Sequence, residues 1–364
     1  MYDQQTIFKA AQNGNLTFFQ EIIKDRSFKE LVFTSSHAKS GDTALHYAVR
    51  HGNLDLVKFL VNAGFKLDIG NFDGKRPLHE AAHFGQKACL EFLLSRGDNV
   101  DALKRADWTP LMLACTKDDL SVVQILVQNG ANLNLKNKDG WNCFHIAVRE
   151  GHLPIVQYLL QQDSLLWDTA SKNGRTPLHT AALHGHNDVL EYMLNICGYE
   201  TDMKDSCGST PFMDTIRIQD IDTAKLLISK HKADVTVEDN LGRQAIHVAS
   251  QTGAFKSIQY LVKVCKVDPS VTCSGNGASA LHIAAKEGHV SVLQMLLDFG
   301  IDSNITDAKE RTALHIAAGA QHADCVCVLL QHGADCRVDC SGTSPKQLAV
   351  KQEVKQVFED FEGT

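Results

Sequence analysis

Apolar residues in this chain come in short bursts, and the bursts come in pairs. The first of each pair is compact and Ala-rich, as in "TPLHTAALHG" (176–185). The second carries apolar residues at helical spacing, as in Val122, Val123, Leu126 and Val127. Thr followed by Pro, at Thr109-Pro110, Thr176-Pro177 and Thr210-Pro211, reads as an N-cap and a first helical residue. Glycines close most of the first helices, at Gly52, Gly85, Gly151, Gly185, Gly253 and Gly288. Gly- and Asp/Asn-rich phrases such as "NGANLNLKNKDG" and "HGADCRVD" follow each pair and suit a hairpin-like turn. The pattern predicts an all-α chain of helix-turn-helix units.

The units are copies of one another. A phrase of the type "RTPLHTAALHGH" recurs with one marker residue in each copy: His46, His79, Met112, His145, His179, Met213, His247, His282 and His315. Successive markers are 33, 33, 33, 34, 34, 34, 35 and 33 residues apart. That period and the Thr-Pro-Leu-His-x-Ala phrase resemble the ankyrin repeat, and the resemblance covers nearly the whole chain. It implies a single solenoid: a cap repeat over 1–33, an insertion near 34–40, nine full repeats over 41–341 and a polar-faced cap over 342–364. It also implies that His46, His79, His145, His179, His247, His282 and His315 are structural, hydrogen-bonding near the Thr-bearing turn. Met112 and Met213 replace that His, in helices that end at Asp118 and Gln219 instead of Gly; packing by Met is the simpler account, a local soft point the other.

Composition narrows the function classes. The chain has 364 residues, 44% hydrophobic and 22% charged, with a formal net charge of −7. Such a chain is not built to coat nucleic acid. The N-terminus lacks the basic and apolar regions of a secretory signal, and no apolar run reaches membrane-spanning length. Eleven cysteines without such a signal point to free thiols in a reducing compartment, the cytosol or nucleus.

One stretch invites a chemical reading. His79-Glu80-Ala81-Ala82-His83 is HExxH, in which two histidines share a helix face and bind zinc while the Glu acts as general base. A zinc hydrolase is therefore an alternative. Against it, His79 occupies the structural marker slot, His83 is expected to be exposed on the first helix, and "HFGQKACLEF" offers no third ligand. His184 and His186 are explained by the repeat. Cys325, Cys327, Cys336 and Cys340 lack paired C-x₂-C spacing, and Cys325 falls where Val292 lies one repeat earlier, in an apolar slot. The sequence predicts no catalytic residues, no metal and no cofactor.

By the same resemblance, turn tips and the ends of first helices form a concave binding face. In repeats three to seven these slots hold aromatics, Phe72, Phe84, Trp108 and Trp141, beside cations. Arg105, Lys138 and Lys172 recur at 33 and 34 residues, with Arg149 and Arg175 nearby and Lys75, Lys117, Arg217 and Arg243 extending the stripe. Trp108 and Trp141 share one slot in adjacent repeats and are expected to be an exposed pair. Trp and Arg are enriched in protein-binding hot spots, so the expected partner is another intracellular protein, acidic with some apolar relief. Single-stranded nucleic acid, stacked on the aromatics, is a second class of partner that the acidic net charge and the lack of a nucleic-acid motif oppose. The capped ends predict a monomer.

Overall fold

The computed structural model describes residues 4–362, with the backbone alone at 26 and 27. The outermost ends of the two expected caps, residues 1–3 and 363–364, lie outside the described residues. The fold is an all-helical ankyrin-repeat solenoid. Twenty-three α-helices alternate with turns, and the described residues contain no strand, only isolated bridges at Lys104–Trp108, Thr272–Ser279 and Thr306–Thr312. The chain divides into two compact units, one ending at Lys172 and one beginning at Asn173.

In each repeat a short first helix packs against a longer second one. Pro77–His83 buries Leu78, Ala81 and Ala82, and its partner Lys87–Ser95 buries Cys89, Leu90 and Leu93. Alanine matters here because a small first-helix side chain lets two backbones approach. Val122, Val123 and Leu126 are buried as their spacing predicts, whereas Val127 is half-exposed. The first helix at Cys143–Glu150 ends at Gly151 with φ 76°, a left-handed geometry that side chains resist.

The marker histidines bind one repeat to the next. His46 Nδ1 accepts the Thr43 N–H at 3.2 Å, and its Nε2 donates to the Lys75 carbonyl of the following repeat at 2.8 Å. His179, His247, His282 and His315 repeat this, reaching Ser209, Val271, Arg311 and Thr343 at 2.9–3.2 Å. His145 Nδ1 lies 2.9 Å from Asn142 Oδ1. Met112 and Met213 are buried in the same slot, so packing explains them; the Thr109 and Thr210 hydroxyls accept their N–H groups.

The turns are held by a second device. A side-chain oxygen of Asn71, Asn137, Asp205, Asp239, Asp307 or Asp339 accepts two backbone N–H groups, two and four residues on, at 2.9–3.0 Å. Each turn then donates one N–H to the turn before it, as in Arg105 N to Asp73 O at 2.7 Å and Lys138 N to Ala106 O at 3.0 Å. At position 104 the acceptor is missing because Lys stands there, and Ala106 and Asp107 take φ of 63° and 61°. Towards the N-terminus, a third helix, Arg26–Thr34, follows the helix pair of the expected cap, with Val32 fully buried and Phe33 packed on Phe65.

Candidate functional site

Four of the expected contact residues occupy one structural position. Phe72, Arg105, Lys138 and Lys172 are the tip residues whose N–H groups donate to the preceding turn, at 2.7–3.0 Å. The backbone ladder therefore fixes them as a row in the first unit, and all four are exposed. Arg105 faces Asp73 at 3.4 Å across solvent-exposed side chains. Lys138 and Lys172 have no ion pair among the described residues. The corresponding residues of the second unit, Ser206, Asn240, Ser274, Ala308 and Cys340, carry no charge.

The tryptophans depart from expectation. Neither is exposed; both are half-buried behind the row. Lys104 Nζ lies 5.4 Å from the centre of the Trp108 ring, and the Trp108 carbonyl accepts from His79 Nε2 at 3.3 Å. Trp141 stacks on His145 with ring centres 5.9 Å apart and lies 5.7 Å from the Arg149 guanidinium, which is also bonded to Glu150. The rings thus anchor cations in place, because a cation over a ring face is attracted by its quadrupole.

Phe84 is exposed, with the Arg50 guanidinium 5.6 Å from its ring and 5.4 Å from that of Tyr47. Arg50 was absent from the expected set. Its signal was present: a cation recurs four residues after the marker at Arg50, Arg149, Arg217 and Lys286.

Much of the basic stripe is committed to internal pairs. Arg175 is bonded to Asp205 at 3.0 Å and to the fully buried Asp214 at 2.6 Å, and Arg217 reaches the same Asp214 at 3.0 Å. Burial pushes the Asp214 carboxyl up, and Arg175 pulls it back. Arg243 pairs with Asp239 at 2.7 Å, and Lys75 lies 3.8 Å from Glu80. Arg175 is therefore held by carboxylates within the fold.

The HExxH reading fails on the same ground. His79 spends both ring nitrogens on backbone, accepting from Arg76 N–H at 3.1 Å and donating to Trp108. Glu80 is fully buried and bonded to Arg50 at 3.0 Å. His83 is half-buried against Phe84 and not exposed as expected, and burial lowers its pKa. Among the described residues no group of three or more His, Cys, Asp or Glu is placed to hold a metal. Cys325 is fully buried, as its apolar slot implied. No helix of the described residues is long and apolar enough to cross a membrane.

The family profile described as "Ankyrin repeats (3 copies)" matches residues 7–104, 111–205, 194–273 and 264–340. The chain belongs to the ankyrin-repeat family. It is 33% identical over 84 residues to ankyrin repeat and SOCS box protein 3 of Bos taurus, covering 23% of this chain and 16% of that protein. It is 34% identical over 73 residues to the Notch-regulated ankyrin repeat-containing protein of Xenopus laevis, covering 20% of this chain and 63% of that one. In both cases the match spans less than two thirds of the relative. Among solved structures, the ankyrin repeat domain of Bcl-3, a member of the IkappaB family, matches with 26% identity and a TM-score of 0.50, covering 61% of this chain and 99% of that one. Ankyrin repeats are in general modules that bind other proteins.

Proposed function

We propose that this chain is a non-catalytic intracellular adaptor or regulator, acting in the cytosol or nucleus. It binds an acidic partner protein through the row Phe72, Arg105, Lys138 and Lys172, with Phe84, Trp108, Trp141 and Arg149 behind it. It works as one array of nine repeats, 41–341, between its two caps, and as a monomer. The row carries the reading: four exposed side chains, three of them cationic, held in register by backbone bonds, with Arg105 alone of the three cations in an ion pair among the described residues, an exposed one. An aromatic at one end supplies apolar contact area, which charge alone lacks. Rim cations of this kind act mainly on association rate and on partner choice.

The test compares proteins captured from cell lysate, with and without nuclease treatment, by wild type and by F72A/R105A/K138A/K172A, identified by mass spectrometry. All four side chains are exposed, so the variant is expected to unfold at the wild-type midpoint. Loss of one stoichiometric partner with the row supports the reading. An unchanged set of captured proteins removes it, and capture that vanishes only with nuclease treatment transfers the row to nucleic acid.

A further inference from the structure

The second unit holds a cavity of about 410 Å³ whose lining runs from Asn240 to Ile316. It coincides with the one repeat whose marker spacing is 35 residues, between His247 and His282. The turn there is widened: Cys273 N–H donates to the Ala278 carbonyl at 2.9 Å, five residues on, and Asn276 Oδ1 accepts the Ala278 N–H at 3.0 Å. The residue before the N-cap is Trp108, Trp141, Arg175, Arg243 or Arg311 in five other repeats and Asp42, Lys75 or Ser209 in the remaining three, and is Ala278 here. A methyl group covers little, and what lies beneath it is left open.

What lies beneath is apolar. The residue after the marker is buried at Glu80, Leu113, Ile146, Thr180, Asp214 and Val248, all at 6% exposure or less. At Ile283 and Ile316, as at Tyr47, the same slot is half-exposed, and both isoleucine side chains line the cavity. Two adjacent repeats thus present an aliphatic floor that the array covers nearly everywhere else.

The rim is cationic in its unused donors. Arg243 is spent on Asp239 and on Gln251, the latter at 2.6 Å. Arg311 places Nε and Nη2 on Asp307 at 2.9 and 2.7 Å, which fixes the guanidinium and leaves Nη1 directed elsewhere. Lys286 is largely exposed and lies 3.4 Å from Glu287, an exposed pair that holds it weakly. An oriented guanidinium and a mobile ammonium over an aliphatic floor suit a carboxylate next to an apolar side chain.

We propose that this cavity is a second partner site, which takes a short acidic segment of a partner protein, placing an aliphatic side chain on Ile283 and Ile316 and a Glu or Asp carboxylate at Lys286 and Arg311. It shares with the preceding section only the reading that the chain binds protein, and it lies in a different unit from the row of tips. The volume falls in the range of natural ligand pockets, roughly 300–1,000 Å³.

The test pans a phage library of random 12-residue peptides on the full chain and measures a synthetic peptide of the enriched consensus by fluorescence anisotropy. The consensus is expected to pair Glu or Asp with Leu, Ile, Val or Met. A278W installs the residue that this slot holds at 108 and 141, covers the floor, and should weaken binding at least tenfold. K286E reverses an exposed charge, cannot unfold the repeat, and should weaken binding at least fivefold. R105A/K138A/K172A should change nothing, which separates this site from the row. No enriched sequence, a consensus without acidic residues, or equal affinity for wild type and K286E overturns the proposal. So does dimerisation of the wild-type chain in sedimentation velocity that A278W abolishes, because the occupant is then a second copy.

Discussion

Glu80 shows how one residue changes meaning with its neighbours. In the sequence it completes a zinc-binding phrase; in the fold it is a buried carboxylate whose charge is met by Arg50 at 3.0 Å and by Lys75 at 3.8 Å. Arg50 is shared with Asp42 at 2.9 Å, so the two carboxylates depend on one guanidinium. Removing one partner of a buried pair strands the other, at a cost of about 3–5 kcal/mol, whereas replacing both by apolar groups is often neutral. Arg50→Met is therefore expected to lower unfolding stability by about 3 kcal/mol. Glu80→Leu in that background should recover most of the loss, since Leu113 fills the same slot one repeat on. Urea unfolding of both variants is the measurement, and equal stability of R50M and R50M/E80L would remove the argument.

At the scale of the element, the turn depends on one side-chain oxygen. Asp239 accepts the N–H groups of Leu241 and Arg243 at 2.9 and 3.0 Å and also pairs with the Arg243 guanidinium. Asn71 and Asn137 fill this slot without the ion pair. Asp239→Ala should cost about 2 kcal/mol, as two backbone donors lose their partner. Asp239→Asn keeps both backbone bonds and should cost about half as much. If the two variants share a urea midpoint, the backbone bonds are not what the slot provides. The turns, the first-helix starts and the marker His were legible because a 33- to 35-residue period shows each of them many times. The helix Arg26–Thr34 was not, because it has no copy to be compared with. The half-burial of Trp108 and Trp141 was not legible either, since it involves Lys104, at the other end of the same turn, and Arg149, on the following helix. The pairing of Arg175 with Asp214 joins residues 39 positions apart. The open floor at Ile283 left two traces, a spacing of 35 and an Ala where neighbours carry Arg or Trp, each unremarkable alone.

Across the whole molecule the marker histidines act together. Burial lowers the pKa of His46, His179, His247, His282 and His315 below the ordinary 6.5, and that of His79 to about 4. A folded His that resists protonation stabilises the fold above pH 6.5, and its contribution is lost as pH falls from there toward its folded value. Asp98, raised to about 6 by burial, and Asp202 and Asp214, also raised, act in the opposite direction, favouring the fold at low pH. Asp42, Asp239 and Asp307 are lowered and matter only below about 3.8. His83 and His231 are lowered as well, so between pH 6.5 and 4 eight histidines oppose three carboxylates, and urea midpoints should fall on acidification. A single substitution isolates the cause. His282 accepts from Ser279 N–H at 3.1 Å and donates to the Arg311 carbonyl at 2.9 Å, while Gln347 already meets Ser344 N–H from the same slot at 2.7 Å. His282→Gln should cost about 1–2 kcal/mol at pH 7.5, where the imidazole is neutral and both bonds are made. Near pH 5 the wild type has lost part of its advantage while Gln does not titrate, so the gap between the two proteins should narrow. A gap that stays constant over this range would place the acid sensitivity outside the marker slot, with His83 and His231, whose pKa burial also lowers, as the next groups to substitute.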